Sequence, residues 1–378
     1  MTNNGYSRRR FLRNMAAGSG GAALAALPMT ASEAKAEASP EPPTPVTVES
    51  YPLVEPTAGT TLAQVRIVTQ EELPRPYVEK LRGTSPNVEV NLCRSREEFR
   101  REVTNAHIIY GDFSQEDLQA AKQLKWIQYT AAGVEHILWS ELVESPIVLT
   151  NMQRMYSPTI SETAIGFMLT LARGLNGYAL QTRERRWKPL PGLSEISGLK
   201  LGMVGLGGIG TDTAYRAHYG FNMRILAVDP KPIPKPSFVA ELHSLDWLPQ
   251  MVPQVDILMS AAPHTPLSQG MFNESIFHAM KPSAFFINMS RGKLVDTPAL
   301  VRALKEGRIA GAGLDVTDPE PLPADHPLWT AGNVIITSHT SARSPGSEQR
   351  KKDLFAENLR RYVAGLPLLN VVDKKRGY

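Results

Sequence analysis

The sequence predicts an α/β fold built from two doubly wound parallel sheets. From Gln64 onward, short apolar strand candidates alternate with helices of roughly 10–15 residues, a pattern typical of parallel sheets. A glycine-rich turn joins one such strand to a helix in the middle of the chain. The length of 378 residues suits two domains. An apolar share of 42% and a charged share of 21% exclude wholesale disorder.

The N-terminus is predicted to be an export signal rather than part of this fold. A basic run at residues 7–13 precedes a Gly- and Ala-rich apolar stretch at 15–29, and small residues suited to cleavage follow. The run resembles a twin-arginine signal. We expect a signal peptide over residues 1–38, a Pro-rich linker over 39–62, the export machinery as a partner and a periplasmic location. The alternative interpretations are a basic tail or an amphipathic helix, and without an active signal the protein would be cytoplasmic.

Charge and cysteine content exclude several functional classes. Five of the 41 basic residues but only two of the 37 acidic residues lie before Ser39, so the rest is nearly neutral and no nucleic-acid partner is predicted. Cys93 is the only cysteine, which excludes an intramolecular disulfide and a cysteine-based zinc cage; no metal site is predicted. No apolar run approaches the roughly 20 residues that span a bilayer.

The first half of the folded region supplies strands and helices for the first sheet. Strands are expected at 65–68, 88–92, 106–110, 126–129 and 147–149, and helices at 77–81, 96–104 and 115–124, the last with Ser114 as N-cap. One long helix is then expected over residues 159–183.

The glycine-rich turn follows a strand at 201–204. Gly205 permits the tight turn, Gly207 lets a pyrophosphate approach the backbone, and Gly210 allows close packing of helix on strand. The helix, expected over residues 211–219 with Gly220 as its C′ residue, presents free N–H groups to the anion. This arrangement predicts a dinucleotide site.

Asp229 ends the next strand, nineteen residues after Gly210. Its carboxylate can accept hydrogen bonds from both ribose hydroxyls and would repel a 2′-phosphate. We therefore expect NAD as the cofactor, with NADP less favoured, although the nearby Lys231 complicates this preference.

Later strands deliver polar side chains to one edge of the second sheet. The strand at 255–260 is followed by Pro263, His264 and Thr265, which should face the cofactor because ligands bind beyond the carboxyl ends of strands. Arg291, Glu320 and His339 follow the next three strands, at 285–288, 311–316 and 334–337.

These three side chains suit one reaction. A guanidinium binds a carboxylate bidentately, an imidazole transfers a proton near neutral pH, and a carboxylate beside the imidazole stabilises its charged form. The alternatives are a surface ion pair for Arg291, a loop carboxylate for Glu320 and a hydrogen-bonded structural histidine for His339.

The motifs resemble the D-isomer-specific 2-hydroxyacid dehydrogenases, most closely the glyoxylate/hydroxypyruvate reductase branch. The matching stretches are 205–210, 263–266, 287–292, 295–296, 311–316, 320–323 and 326–329. The resemblance implies a Rossmann NAD-binding domain over residues 156–340, inserted into a flavodoxin-like substrate domain formed by 63–155 and 341–378. It also implies a homodimer built around the long helix, and hydride transfer between NAD(H) and a small D-2-hydroxy acid/2-oxo acid pair.

The same resemblance assigns roles to individual residues. Arg291 would bind the substrate carboxylate, together with the backbone of Gly133 and Val134, while His339 would be the acid/base and Glu320 its support. Further cofactor contacts are expected from Gly208, Ile209, Met289, Ser290 and Asp315, with Asp315 at the nicotinamide carboxamide.

The chain departs from the family pattern at several positions. Gly208 stands where many members carry arginine, so one phosphate contact is expected to be missing. Thr340 and Ser341 replace a small apolar residue and glycine, and Glu135 replaces a common aspartate. Trp187 is interpreted as a hydrophobic anchor.

Two other functions remain open at the level of sequence. One is a phosphite-type dehydrogenase on the same scaffold, and the other is a dinucleotide-binding sensor or interaction protein with little turnover. The intact Glu320 argues against a formate dehydrogenase, in which this residue is replaced.

Overall fold

The structure, a computed structural model, describes residues 64–378. The predicted signal peptide and the predicted linker lie outside the described residues. Within residues 64–378, no helix has the length and apolar character needed to cross a membrane.

The first lobe is built around a parallel sheet. Its elements are β1 (Val65–Thr69), α1 (Arg75–Arg82), β2 (Val88–Leu92), α2 (Arg96–Glu102), β3 (Ile108–Tyr110), α3 (Gln115–Ala120), β4 (Trp126–Gln128), α4 (Ser140–Val143) and β5 (Val148–Thr150). The strand order β2-β1-β3-β4-β5 is flavodoxin-like, as predicted. Ile67, Ile108 and Ile127 are fully buried, as expected for strands covered on both faces.

Ser114 caps α3 as predicted. Its hydroxyl accepts a hydrogen bond from the Asp117 N–H, and the Asp117 carboxylate accepts one from the Ser114 N–H. The helix ends at Ala120 rather than at residue 124, because Ala121 leaves the helical conformation at φ −80° and ψ 75°.

The second lobe contains a larger parallel sheet. Its elements are α5 (Ser157–Arg173), α6 (Leu175–Arg183), β6 (Lys200–Val204), α7 (Gly208–Phe221), β7 (Arg224–Val228), β8 (Val239–His243), α8 (Leu248–Met251), β9 (Ile257–Ser260), α9 (Glu274–Ala279), β10 (Phe285–Asn288), α10 (Thr297–Lys305), β11 (Gly311–Leu314) and β12 (Val334–Ile336). The order β12-β11-β10-β9-β6-β7-β8 is the Rossmann order with one added strand.

The last helix, α11 (Pro345–Val363), returns to the first lobe. Phe355 on this helix stacks on Tyr110 of β3 with ring centroids 4.1 Å apart, and its ring also lies against Trp126 of β4. Both ends of the described chain therefore pack in the first lobe, and the predicted fold class is confirmed.

Two further local predictions are wrong, and one strand was not predicted. The helix expected over residues 159–183 is interrupted at Gly174, whose φ of +62° lies in the left-handed region. Helix α7 begins three residues earlier than expected and ends at Phe221, where Asn222 rather than Gly220 adopts the left-handed conformation. Strand β8 was not predicted, since its half-exposed residues lack a clear apolar pattern.

The carboxyl ends of the two sheets meet at a cleft. The loop after β4 contacts the loop after β10, where Glu135 Oε1 lies 2.7 Å from Arg291 Nε. The loop after β5 contacts the start of α7, where Arg154 lies against Gly208. The cleft thus collects the strand exits that the sequence singled out.

Candidate active site

The glycine turn after β6 fits a dinucleotide diphosphate. Gly205 has a φ of +91°, and a Cβ on Gly210 would lie 2.0 Å from the Gly205 carbonyl oxygen, so neither position accepts a side chain. A Cβ on Gly207, by contrast, would meet nothing within 4 Å. The open space lies at the N-terminus of α7, which also contains Ile209 and where free N–H groups favour an anion.

Asp229 is fixed beside this turn. Its Oδ2 accepts a hydrogen bond of 2.8 Å from the Leu206 N–H, and its Oδ1 accepts one of 2.8 Å from the Lys231 N–H. Burial lowers the pKa of Lys231, while the nearby Asp229 carboxylate acts in the opposite direction. An acidic group therefore lies where the adenosine ribose of a dinucleotide is expected.

The loop after β9 holds Pro263, His264 and Thr265. Ser268 ties this loop, because its hydroxyl donates to the Pro263 carbonyl at 2.7 Å and accepts from the Thr265 N–H at 2.8 Å. His264 Nε2 is enclosed and has no hydrogen-bond partner among the described residues. The imidazole therefore offers a polar atom to a ligand.

Met289 and Ser290 follow β10 and are buried. The Ser290 hydroxyl lies 2.6 Å from that of Ser260 on β9, and the Ser290 N–H donates to Asn288 Oδ1 at 3.1 Å. These bonds join the carboxyl ends of two neighbouring strands and fix the residue that precedes Arg291.

His339 and Glu320 form a pair in the open part of the cleft. His339 Nδ1 lies 2.9 Å from Glu320 Oε2, and Glu320 Oε1 accepts a hydrogen bond of 2.9 Å from the Thr317 N–H. The two side chains are 43% and 38% exposed, so a small molecule can reach the imidazole. His339 has a φ of +54°, a conformation that must be held by its surroundings.

Asp315 holds the loop that carries His339. Its buried carboxylate accepts hydrogen bonds from Thr337 Oγ1 at 2.6 Å, from the Thr340 N–H at 3.1 Å, and from both the N–H and the hydroxyl of Ser341. The Asp315 carbonyl accepts from the His339 N–H at 2.8 Å. The structure thus gives this carboxylate a positioning role, in addition to the nicotinamide contact that the family resemblance implies.

Arg291 lies over the loop that contains Gly133 and the buried Val134. Its Nε donates to Glu135 Oε1 at 2.7 Å and its Nη1 donates to the Ser290 carbonyl at 2.9 Å. Burial favours the neutral form of Glu135, but the Arg291 guanidinium outweighs it, so the pKa of Glu135 is lowered. The Nη2 group faces the backbone of Gly133, where a carboxylate would also meet backbone N–H groups.

Steric constraints explain why position 208 is a glycine. A Cβ at this position would lie 2.6 Å from Ser157 Oγ and 2.7 Å from Arg154 Cγ. The arginine that many family members carry there would collide with the start of α5 and the loop before it.

The structure thus brings the three predicted catalytic side chains to the ends of three consecutive strands of the sheet, β10, β11 and β12.

Two side chains of this cleft were not predicted as site residues. Glu135 was noted only as a departure, although its place beside the Gly133–Val134 loop was a usable signal. Nothing in the local sequence indicated Arg154.

Comparison with known proteins gives the family. Residues 165–341 match the family model described as D-isomer specific 2-hydroxyacid dehydrogenase, NAD binding domain. The chain is 34% identical over 267 residues to a glyoxylate reductase of Korarchaeum cryptofilum, covering 69% of this chain and 79% of that protein. The chain belongs to the D-isomer-specific 2-hydroxyacid dehydrogenase family. It is an NAD(P)-dependent 2-hydroxyacid dehydrogenase, and the predicted family is confirmed.

Solved structures of other family members have the same fold as this dehydrogenase. A family protein from Aeromonas salmonicida subsp. salmonicida aligns with a TM-score of 0.73 at 30% identity, covering 82% of this chain and 99% of that one. An enzyme from Xanthobacter autotrophicus, solved with NADPH and MES, aligns with a TM-score of 0.72 at 26% identity, covering 84% and 100%. This dehydrogenase therefore shares the fold of solved family members, one of which was solved with NADPH.

Proposed function

We propose that this dehydrogenase reduces a small 2-oxo acid, with glyoxylate and hydroxypyruvate as the first candidates, and uses NADH. The observation that supports this most directly is the His339–Glu320 pair, 2.9 Å apart, which follows two neighbouring strands, the first of which lies beside the strand that precedes Arg291. A proton donor and a carboxylate-binding cation are the two groups that reduction of a 2-oxo acid requires from the protein.

Each side chain contributes one step. When bound, the nicotinamide would supply the hydride. Arg291 binds the substrate carboxylate through its Nη edge, because its Nε is engaged by Glu135. Since Glu320 accepts a hydrogen bond at His339 Nδ1, the Nε2 atom is the one that gives its proton to the substrate oxygen, or takes it in the reverse direction. Glu320 stabilises the imidazolium form that precedes this transfer.

The preference for NADH rests on Asp229. Its carboxylate is held by the backbone N–H groups of Leu206, in the glycine turn, and of Lys231, where it can accept from ribose hydroxyls and would repel a 2′-phosphate. We expect NADH to bind at least about 10-fold more tightly than NADPH, and Asp229→Ser to reduce this ratio. Equal affinities for the two cofactors in the unmodified protein would contradict the proposal.

The assay that tests the reaction follows NADH absorbance with glyoxylate, hydroxypyruvate, pyruvate and bulkier 2-oxo acids. NADPH is the cofactor comparison, and phosphite with NAD tests the alternative oxidation. Oxidation of NADH by one of the acids, lost in His339→Ala while NADH still binds, is the expected result. Tight NADH binding without turnover of any 2-oxo acid would contradict the proposed reaction.

We also propose a homodimer built around α5 and α6. Large apolar side chains are exposed along this part of the chain, with Leu175 at 48%, Leu180 at 59% and Trp187 fully exposed. Analytical sedimentation of the unmodified protein should give the mass of a dimer. The double variant Leu180→Glu/Trp187→Ser should sediment as a monomer. Leu267→Ser, at a site that is 88% exposed in the loop after β9, is the control. A monomeric unmodified protein would contradict the proposal.

The predicted twin-arginine signal leads to a proposal about location. We expect the folded enzyme to reach the periplasm with its dinucleotide already bound. Replacing Arg8 and Arg9 with lysine should retain the protein in the cytoplasm, as measured by cell fractionation. A periplasmic protein purified without dinucleotide would contradict loading before export. Equal cytoplasmic retention of the unmodified protein and of the lysine variant would contradict the signal.

A further inference from the structure

Arg154 occupies an unusual position in the cleft. It lies in the loop between β5 and α5, and its backbone has a φ of +70°. A residue with a Cβ rarely adopts this left-handed conformation unless its surroundings impose it. The contacts of its side chain show what the conformation achieves.

The stem of Arg154 lies across the first turn of α7. A Cβ on Gly208 would be 2.7 Å from Arg154 Cγ and 3.1 Å from Arg154 Cα. Gly208 is the first residue of this helix, directly after Gly207, above which the space is open. The arginine therefore reaches from the first lobe to the edge of the diphosphate cradle, and Gly208 is the residue that makes room for it.

The charge of Arg154 acts in the same place. Burial lowers the pKa of the Arg154 guanidinium. The pKa of Lys231 is lowered first by burial and also by nearby cations, one of which is this guanidinium. Lys231 lies two residues after Asp229, so the guanidinium is near enough to the expected ribose side of the site to act on it electrostatically. A guanidinium at this position can form charge-assisted hydrogen bonds with phosphate oxygens.

We propose that Arg154 binds the diphosphate of the dinucleotide from the opposite lobe. The proposal rests on the dinucleotide binding of this family and not on the identity of the 2-oxo acid. The N–H groups of α7 hold one side of the diphosphate and the guanidinium holds another. Because the two contacts come from different lobes, the diphosphate bridges them, and Arg154 supplies the cation that position 208 cannot carry.

The test measures binding rather than turnover, with the full chain. Arg154→Gly removes the guanidinium but keeps a residue that accepts the left-handed backbone. We expect it to weaken binding of NADH and of ADP-ribose at least about 10-fold by calorimetry, because a charge-assisted contact to phosphate is lost. Binding of adenosine, which has no phosphate, should be unchanged in ligand-observed NMR. Arg154→Lys should recover part of the affinity.

A matched control comes from the same chain. Arg185 also has a positive φ, of +55°, but lies exposed just after α6, so Arg185→Gly should leave all three affinities unchanged. Arg154→Gly with the NADH affinity of the unmodified protein would overturn the proposal. So would an equal loss for adenosine, since that would indicate collapse of the site. If Arg154→Gly does not fold, NADH binding is compared between Arg154→Lys and Arg154→Asn, which also tolerates the left-handed backbone. Tighter binding by the lysine variant supports the proposal, and equal affinities overturn it.

The outcome is separable from that of the proposed function. A protein that turns over no 2-oxo acid but loses NADH affinity in Arg154→Gly would retain the proposal about Arg154. A protein that reduces glyoxylate with unchanged NADH affinity in Arg154→Gly would overturn the proposal and leave the reaction intact.

Discussion

Replacing Gly133 with alanine should displace the guanidinium of Arg291. The new Cβ would lie 1.9 Å from Arg291 Nη2 and 2.6 Å from Glu135 Oε2, whereas ordinary contact begins at 3.4 Å. The guanidinium must therefore move by about 1.5 Å, and misplacement of a binding group by roughly 1 Å can cost about 100-fold in rate. Both displaced atoms are the tips of flexible side chains, so the backbone and the fold should survive.

Steady-state kinetics with the preferred 2-oxo acid would measure this effect. We expect kcat/KM to fall about 100-fold, with a higher KM because Arg291 is the proposed carboxylate-binding group and a lower kcat because the carbonyl would no longer be aligned with His339. The Kd of NADH and the thermal midpoint should stay the same, since Gly133 lies away from the glycine turn.

Gly220→Ala is the control for adding a methyl group. A Cβ at this position inside α7 would meet nothing within 4 Å. It should leave kcat/KM unchanged and stabilise the helix by about 0.5–1 kcal/mol. If Gly133→Ala keeps the kcat/KM of the unmodified enzyme, Arg291 is not the group that holds the substrate carboxylate. If it loses NADH binding as well, the effect is not local.

Three further predictions concern other parts of the molecule. Glu320→Gln should lower kcat about 100-fold or more with an unchanged Kd for NADH, as measured by kinetics and calorimetry, because the imidazolium loses its charged partner; an unchanged kcat would remove Glu320 from catalysis. Gly210→Ala should abolish NADH binding and lower the thermal midpoint, since its Cβ would lie 2.0 Å from the Gly205 carbonyl oxygen; normal binding would show that the turn adapts. Hydrogen bonding to Arg360 lowers the pKa of Glu357 on α11 to about 2, below its ordinary value of 4.5, so its contribution to stability is complete above about pH 4.5 and is lost as the pH falls towards 2. Solvent screening keeps this contribution below about 1 kcal/mol, and denaturation of Glu357→Gln should show a weaker pH dependence over that window; the same dependence as the unmodified protein would contradict it.

The dinucleotide half of the site could be predicted from sequence because its constraints are local. Gly205 and Gly210 are five residues apart, and the collision that excludes a side chain at Gly210 is with the Gly205 carbonyl. Arg291, Glu320 and His339 follow apolar strands closely, and parallel strands place such exits on one edge whatever the loops do. Strand periodicity was therefore enough to bring the three side chains together.

The contacts across the cleft could not be predicted in this way. Glu135 and Arg291 are 156 residues apart, and no periodic pattern relates the loop after β4 to the loop after β10. Arg154 and Gly208 are 54 residues apart, and the left-handed backbone that brings them together occurs at an arginine, which has no sequence signal for it. The break at Gly174 was missed for the opposite reason, because the apolar pattern of the helix continues beyond it.

The residues at which this dehydrogenase departs from the family pattern can be explained by the side chains that they contact. Ser341 follows His339 where the family has glycine, and its hydroxyl donates to Asp315, which also holds Thr337 before the histidine. The loop is thus tied on both sides of His339 by one carboxylate.

Glu135, in turn, occupies the Nε side of Arg291. A substrate carboxylate on the Nη side brings a second negative charge to the same guanidinium, which alone would weaken binding. We expect the N–H groups of the Gly133–Val134 loop to supply the additional donors, so that the loop that carries Glu135 also offsets its repulsion.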